Sequence, residues 1–201
     1  MKKKIIVLAS GRGSNFAALR ESLRRKKTNG EIIALISDNP ESNALLLAAS
    51  FGIQAISLPF KKEEKDLYHR NLLLTLKKLE PDLIVTAGYM RILPPEIVDS
   101  FPMKIINIHP SLLPAFPGIG SIKKAWEYGV RVTGCTTHFV DNTIDGGIII
   151  AQAVVKITPE MNLESLEAAI HKAEHKILPQ TVRYFLEDKI KIQNRRVYIE
   201  K

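Results

Sequence analysis

Lys4-Ile5-Ile6-Val7-Leu8-Ala9-Ser10-Gly11-Arg12-Gly13-Ser14-Asn15 opens the chain with an apolar, β-branched run that stops at a glycine loop. The spacing predicts a strand over 5–10, then a helix over 15–25 with Phe16, Leu19 and Leu23 on one side. The alternation continues downstream. A second strand is expected over 31–37, closed by Asp38-Asn39-Pro40 turn chemistry. A helix over 43–51 ends at Gly52, and a short strand covers 54–58. A long helix with a leucine stripe spans 62–79 and stops before Pro81. Strands follow at 83–87 and 105–109, with a short helix from Pro95 between them. Strands alternating with helices imply a mostly parallel sheet covered on both faces.

The back half differs. Segments 133–140 and 148–157 flank a turn-rich stretch containing Asp145-Gly146-Gly147, the pattern of a long antiparallel hairpin joining the sheet. A helix is expected over 163–186, with Pro179 as a candidate kink, and a final edge strand over 190–199. The fold class expected is α/β: a Rossmann-like three-layer sandwich whose mostly parallel sheet has an antiparallel C-terminal portion. Without repeats, low-complexity segments or linkers, one domain over 1–201 is expected, with halves of about 1–103 and 104–201.

At 201 residues, 45% of them hydrophobic, the chain can bury a sizeable core. No apolar run approaches membrane-spanning length. The short run after Met1-Lys2-Lys3-Lys4 leads into a glycine loop rather than a cleavage site, so a cytoplasmic protein is expected. The single cysteine, Cys135, excludes an intramolecular disulfide, argues against a cysteine-rich metal site and reads as a small buried apolar residue. Net charge is +8. The basic residues are not interleaved with stacking aromatics, so a nucleic-acid partner is not expected. A positive field would concentrate small polyanionic substrates, and a charged surface is also an ordinary solubility device.

Three constellations have the residue types for chemistry. In Ser10–Asn15, glycines let a ligand approach the backbone, and the helix that follows offers free N–H groups and its positive dipole end. Phe16 stands where a dinucleotide fingerprint has its third glycine, and the lysine of a P-loop is absent. The loop is therefore either a phosphate cradle or a tight turn in which Asn15 serves as N-cap. The second constellation is Lys104-Ile105-Ile106-Asn107-Ile108-His109-Pro110. Side chains alternate along a strand, so Asn107 and His109 face the same way at its C-terminal end, where open α/β sheets bind ligands. An amide can donate to a developing oxyanion, and an imidazole can act as general acid or base. The third is Asp145, a turn residue or a carboxylate that reaches His109 and favours its charged form. His138 reads as a hydrogen-bonded core residue. His171 and His175 lack the glutamate of a zinc-protease helix, and Ser111 lacks a nucleophile elbow.

The motifs Gly11-Arg12-Gly13-Ser14-Asn15, Gly88-Tyr89-Met90-Arg91-Ile92-Leu93, Asn107-Ile108-His109-Pro110-Ser111-Leu112-Leu113-Pro114 and Asp145-Gly146-Gly147 occur in a diagnostic order and spacing. From about Lys4 to Leu186 the chain resembles the phosphoribosylglycinamide formyltransferase family, a branch of the folate-dependent formyltransferase superfamily that serves de novo purine synthesis. The resemblance implies 10-formyltetrahydrofolate as co-substrate, glycinamide ribonucleotide as acceptor, no metal, no membrane, and a monomer or homodimer. It implies that Gly13, Ser14 and Asn15 hold the 5′-phosphate and that Glu174 meets the ribose hydroxyls. Backbone groups of Met90, Arg91, Ile92 and Leu93 would meet the folate heterocycle. Val140, Asp141 and the segment on to Asp145 would form one folate wall. Asn107 would contact the formyl oxygen, His109 would be the general acid, and Asp145 would hold His109 charged and position water. Lys65 is the nearest counterpart of a folate-binding arginine of the family, and Gly120 stands where many members have histidine.

Two relatives share this core. Methionyl-tRNA formyltransferase carries a further C-terminal domain, for which no residues remain. Formyltetrahydrofolate deformylase usually carries an N-terminal regulatory domain, whereas here the first strand begins almost at Met1. A non-catalytic nucleotide-binding α/β domain would account for the charge and the glycine loop. It gives no reason for Asn107, His109 and Asp145 to occur together.

Overall fold

Strand β1 (Lys3–Leu8) pairs in parallel with β2 (Gly30–Ser37) on one side and β4 (Leu83–Ala87) on the other. Beyond β2 lies β3 (Gln54–Ser57), also parallel. These pairings belong to a computed structural model that describes residues 2–26 and 28–200. Parallel neighbours need crossovers. Here they are α1 (Ser14–Lys26), α2 (Asn43–Ser50) and, after a 3-10 turn at Lys62–Glu64, α3 (Lys65–Leu79). The chain builds β1, β2 and β3 outward in one direction and then returns to lay β4 on the other flank of β1. The strand order thus reverses beside β1, and such switch points are where open α/β sheets leave room for ligands.

Local chemistry accounts for these elements. Ile5–Ala9 have no solvent exposure, as expected of a parallel strand covered on both faces. Helix α3 buries Tyr68, Leu72 and Leu76, one face at four-residue spacing, and closes with Glu80 in the left-handed region before Pro81. Ser42 caps α2 by accepting from the Ala44 N–H at 3.2 Å. Helix α4 (Pro95–Ser100) carries proline at its start and leads into β5 (Ile105–His109).

The chain divides into two compact units, Met1–Ile106 and Asn107–Lys201. The second contains α5 (Ser121–Tyr128), β6 (Val132–Phe139), β7 (Ile149–Lys156) and α6 (Leu163–Leu186). β6 and β7 are antiparallel, with Cys135 opposite Ala153. Burial pushes the Cys135 thiol up to about 12, so it stays protonated. Asn162 and Ser165 form a reciprocal capping box that starts α6. The helix packs on β6 and β7, and the Thr137 and Thr181 hydroxyls hydrogen-bond at 2.8 Å. Among the described residues the main sheet has seven strands in the order β3-β2-β1-β4-β5-β6-β7. This is the expected Rossmann-like α/β class, mostly parallel with an antiparallel C-terminal part. Among the described residues, no helix is long and apolar enough to cross a membrane.

Two elements depart from the sequence reading. The sequence reading assigns no element between β5 and β6, yet α5 is there. Ser121 and Ala125 are buried in it, and at eight residues it is too short to give a sustained helical period. The expected edge strand over 190–199 is instead a hairpin, β8 (Ile190–Gln193) and β9 (Arg196–Ile199), forming its own two-stranded sheet. Asn194 and Arg195 both adopt positive φ, 49° and 63°, which reverses the chain in two residues.

The stripe on α3 makes a contrast that can be measured. Leu72 is fully buried and Leu74, two residues on, is 60% exposed. Leu72→Ala is expected to cost about 2–5 kcal/mol, and Leu74→Ala under about 0.5 kcal/mol. Urea unfolding gives both, and similar midpoints for the two variants would contradict the assigned face.

Candidate active site

The first unit gathers two of the sequence motifs at the switch point. The Ser10 N–H donates to the Gly88 carbonyl at 3.0 Å, and the Ser10 hydroxyl accepts from the Met90 N–H at 2.8 Å. Helix α2 holds the glycine loop from the other side. The Ser42 hydroxyl and the Ala44 N–H both donate to the Gly11 carbonyl, and Asn43 Nδ2 donates to the Arg12 carbonyl. Gly13 lies at φ 76°, and a Cβ there would come within 2.9 Å of the Ala44 backbone. Conformation and close approach both require glycine at this position. Helix α1 then starts at Ser14, with Asn15 in its first turn and nearly buried. Asn15 is therefore not the N-cap that the alternative reading allowed.

The Gly88–Leu93 motif has a structural side. Arg91 Nε donates to Asp38 Oδ2 at 2.6 Å, and the guanidinium lies 4.1 Å from the Phe60 ring centroid. Asp38 is almost fully buried, so this arginine compensates a charge inside the protein. The Tyr68 and Tyr89 hydroxyls are hydrogen-bonded, and burial pushes Tyr68 up to about 12 and raises Tyr89 too. Leu93 is buried, whereas Met90 and Ile92 are exposed. Lys65 is an exposed residue at the start of α3.

The second unit brings Asn107, His109 and Asp145 together with His138, which the sequence reads as a core residue. Asp145 Oδ2 lies 3.4 Å from His109 Nδ1, and its Oδ1 lies 3.7 Å from His138 Nε2. On the other side of the His109 ring, Nε2 is 2.9 Å from the Phe116 carbonyl and 3.0 Å from Ser121 Oγ. Ser121 donates its own proton to the Gly118 carbonyl, so its oxygen accepts from His109. Acceptors thus face both nitrogens, the arrangement an imidazolium satisfies. The Gly118 N–H donates to Asp145 Oδ2 at 2.7 Å and aims the carboxylate.

His138 faces the opposite demand. Its Nδ1 is 2.9 Å from its neighbour's carbonyl, Phe139 O, which can only accept. Nδ1 therefore carries the proton, and Nε2 is an acceptor in the neutral ring. Asn107 Nδ2 lies 3.1 Å from that Nε2 and donates to it, which fixes the amide's orientation. Burial holds His138 below its ordinary 6.5, against the pull of Phe139 O and Asp145. The available signal was alternation on β6: Thr136 and His138 share a face, and Thr136 pins the chain after His109 through the Ser111 carbonyl and Leu113 N–H. Ser121 and the Phe116 carbonyl had no such signal, because α5 and its approach loop were not predicted.

The loop bearing Asp145 is folded on itself. Asp141 Oδ1 accepts from the Thr143 N–H and hydroxyl, and Asp145 has φ 51°. A Cβ on Gly147 would lie 1.8 Å from the Phe139 carbonyl oxygen. Val140 and Asp141 open this loop, half-buried. Glu174 sits in the buried stripe of α6, with Oε2 2.9 Å from His171 Nδ1.

A chain with a glycine loop after its first strand, and an imidazole and an amide on β5 near the carboxylate of Asp145, matches one family model. The model, described as formyl transferase, spans residues 3–182, and the chain belongs to that family. It is 40% identical over 185 residues to the phosphoribosylglycinamide formyltransferase of Bacillus subtilis (strain 168), covering 92% of this chain and 95% of the relative. The crystal structure of glycinamide ribonucleotide transformylase 1 from Symbiobacterium toebii matches with a TM-score of 0.93 at 36% identity, over 100% of this chain and 95% of that one. A formyltetrahydrofolate deformylase from Pseudomonas syringae pv. tomato matches with a TM-score of 0.94 at 25% identity, over 100% of this chain and 67% of that longer one.

His138 leads to a pH prediction. The unfolded chain takes up a proton near 6.5 that the folded protein refuses until lower pH. The unfolded state then binds more protons, so stability falls as pH drops below about 6.5. His69 and His175 are lowered by burial as well and add to the slope. His138→Gln keeps an acceptor for Asn107 and is expected to make the decline between about pH 7 and pH 5 shallower. Urea midpoints measured across that range decide it, and an unchanged slope would count against a buried neutral ring.

Proposed function

We propose that the protein transfers the formyl group of 10-formyltetrahydrofolate to the amine of N1-(5-phospho-D-ribosyl)glycinamide, giving the formylglycinamide ribonucleotide and tetrahydrofolate in purine synthesis. A formyl folate is the co-substrate of the formyl transferase family. One observation carries the reading: His109 has an acceptor at each ring nitrogen, with Asp145 at one of them, on the strand that also presents Asn107.

The amine attacks the formyl carbon directly, and the carbonyl π electrons move onto oxygen. Asn107 and protonated His109 stabilise that oxyanion. A single such donor is worth about 3–4 kcal/mol of barrier. The C–N bond to folate then breaks, and the proton lost by the amine reaches the departing folate nitrogen through water or His109. Asp145 keeps the imidazole charged and orients that water. In the first unit, Gly13, Ser14 and Asn15 hold the 5′-phosphate at the start of α1, where N–H groups and the helix dipole favour an anion. Backbone groups of Met90–Leu93 meet the folate heterocycle, because the Arg91 head is already paired with Asp38. Val140 and Asp141 form a folate wall, Lys65 contacts the folate and Glu174 meets the ribose hydroxyls. The proposal is of a cytoplasmic enzyme, one functional domain over 1–201. It acts on two small molecules as monomer or homodimer, with no metal and no nucleic-acid partner.

The likeness to a deformylase supports one rival, hydrolysis of the formyl folate to formate. Purified protein with 10-formyl folate and glycinamide ribonucleotide, followed by absorbance as folate is released, separates the two. Turnover that needs the ribonucleotide supports transfer, and equal turnover without it supports hydrolysis. His109→Asn and Asp145→Asn are each expected to lower kcat on the order of 10²–10⁴-fold with smaller changes in KM. Near-normal kcat in either variant defeats the assignment. Asn15→Ala is expected to raise KM for the ribonucleotide roughly tenfold and leave the folate KM nearly unchanged. Equal losses for both substrates would make the loop merely structural.

A further inference from the structure

We infer that Arg195, at the tip of the β8–β9 hairpin, is a positioning residue for the loop that carries Asp145. This rests on the formyl-transfer reading, in which Asp145 serves His109. Arg195 Nη2 donates at 2.7 Å to the carbonyl of Gly146, the residue next to Asp145. The hairpin lies beyond the segment that the formyl transferase model matches, and β9 packs along β7, the strand that leaves the loop.

The backbone at the hairpin tip is informative. Two-residue turns of this kind favour glycine or asparagine at positive φ. Asn194 conforms, but Arg195 stands at φ 63°, where a long side chain is disfavoured. Such strain persists where surrounding contacts hold it, and it clusters at functional positions. Here the strained residue reaches the catalytic loop.

The loop then has holds on both sides of Asp145. The Gly118 N–H fixes its carboxylate, Asp141 closes the preceding turn, and Arg195 fixes the following peptide. Asp145 lies 3.4 Å from His109 Nδ1, so a shift of about an ångström would remove the contact, and misplacement of that size can cost orders of magnitude in rate. The Arg195 bond is exposed, so its own contribution is modest.

Arg195→Gly tests this cleanly. Glycine suits the left-handed backbone better than arginine, so the hairpin is kept while the guanidinium is lost. The variant is expected to lower kcat roughly three- to tenfold and leave KM for the ribonucleotide within about twofold. Amide hydrogen exchange should quicken over 143–147 and stay unchanged in α6, with no drop in Tm. Arg195→Lys should recover part of kcat. Wild-type kcat in Arg195→Gly overturns the inference, and so do loop amides that exchange as before. The exchange measurement needs no substrate. A wild-type protein that transfers no formyl group therefore overturns the functional reading, whereas unchanged exchange overturns the positioning role.

Discussion

Strand β1 is hydrogen-bonded in parallel on both flanks, and Ile5–Ala9 are wholly withdrawn from solvent. A strand in that position cannot turn back on itself. It must leave the sheet at its C-terminal end and return by a helix. The same holds for β4. Because the strand order reverses between them, their two exit loops meet instead of diverging. The bonds from Ser10 to Gly88 and Met90 are the direct result. The glycine at 13, the packing of α2 against it and the Arg91–Asp38 pair are all ways of holding irregular backbone in place at that meeting point.

The second unit solves a different problem, that of giving two histidines a few ångströms from one carboxylate different partners. It does so with main-chain carbonyls. One carbonyl accepts from His109 Nε2 on the side away from Asp145. Another accepts from His138 and leaves that ring an acceptor for Asn107. Burial then favours the neutral form of the His138 ring. Thr136 and Ser121 contribute by holding the backbone that supplies these contacts.

Much of this was legible in the residues. Parallel strands are long apolar runs with turn chemistry at their ends, so β4 and β5 appear at their predicted bounds. The co-facing of Asn107 and His109 follows from the period of a strand. What escaped was decided by contacts distant in sequence. The eight residues of α5 are too few for a sustained period, and its importance lies in delivering Ser121 to His109, twelve residues away. His138 looked like a core residue because it is one; its part in orienting Asn107 depends on which carbonyl faces its Nδ1. Arg91 belongs to a motif that resemblance connects with a ligand, yet its side chain serves Asp38 and Phe60.

Paired glycines such as Gly146-Gly147 are usually taken for a hinge. Here Gly147 means closeness rather than freedom, because the Phe139 carbonyl occupies the space its Cβ would need. That carbonyl is also what sets the His138 tautomer. A methyl group at 147 would act as a lever: pressing on one oxygen, it would loosen the grip on a ring and, through the ring, on the Asn107 amide. The loop and the Asn107 amide are therefore mechanically joined, and sequence change in the turn can be silent at Asp145 yet be felt at Asn107.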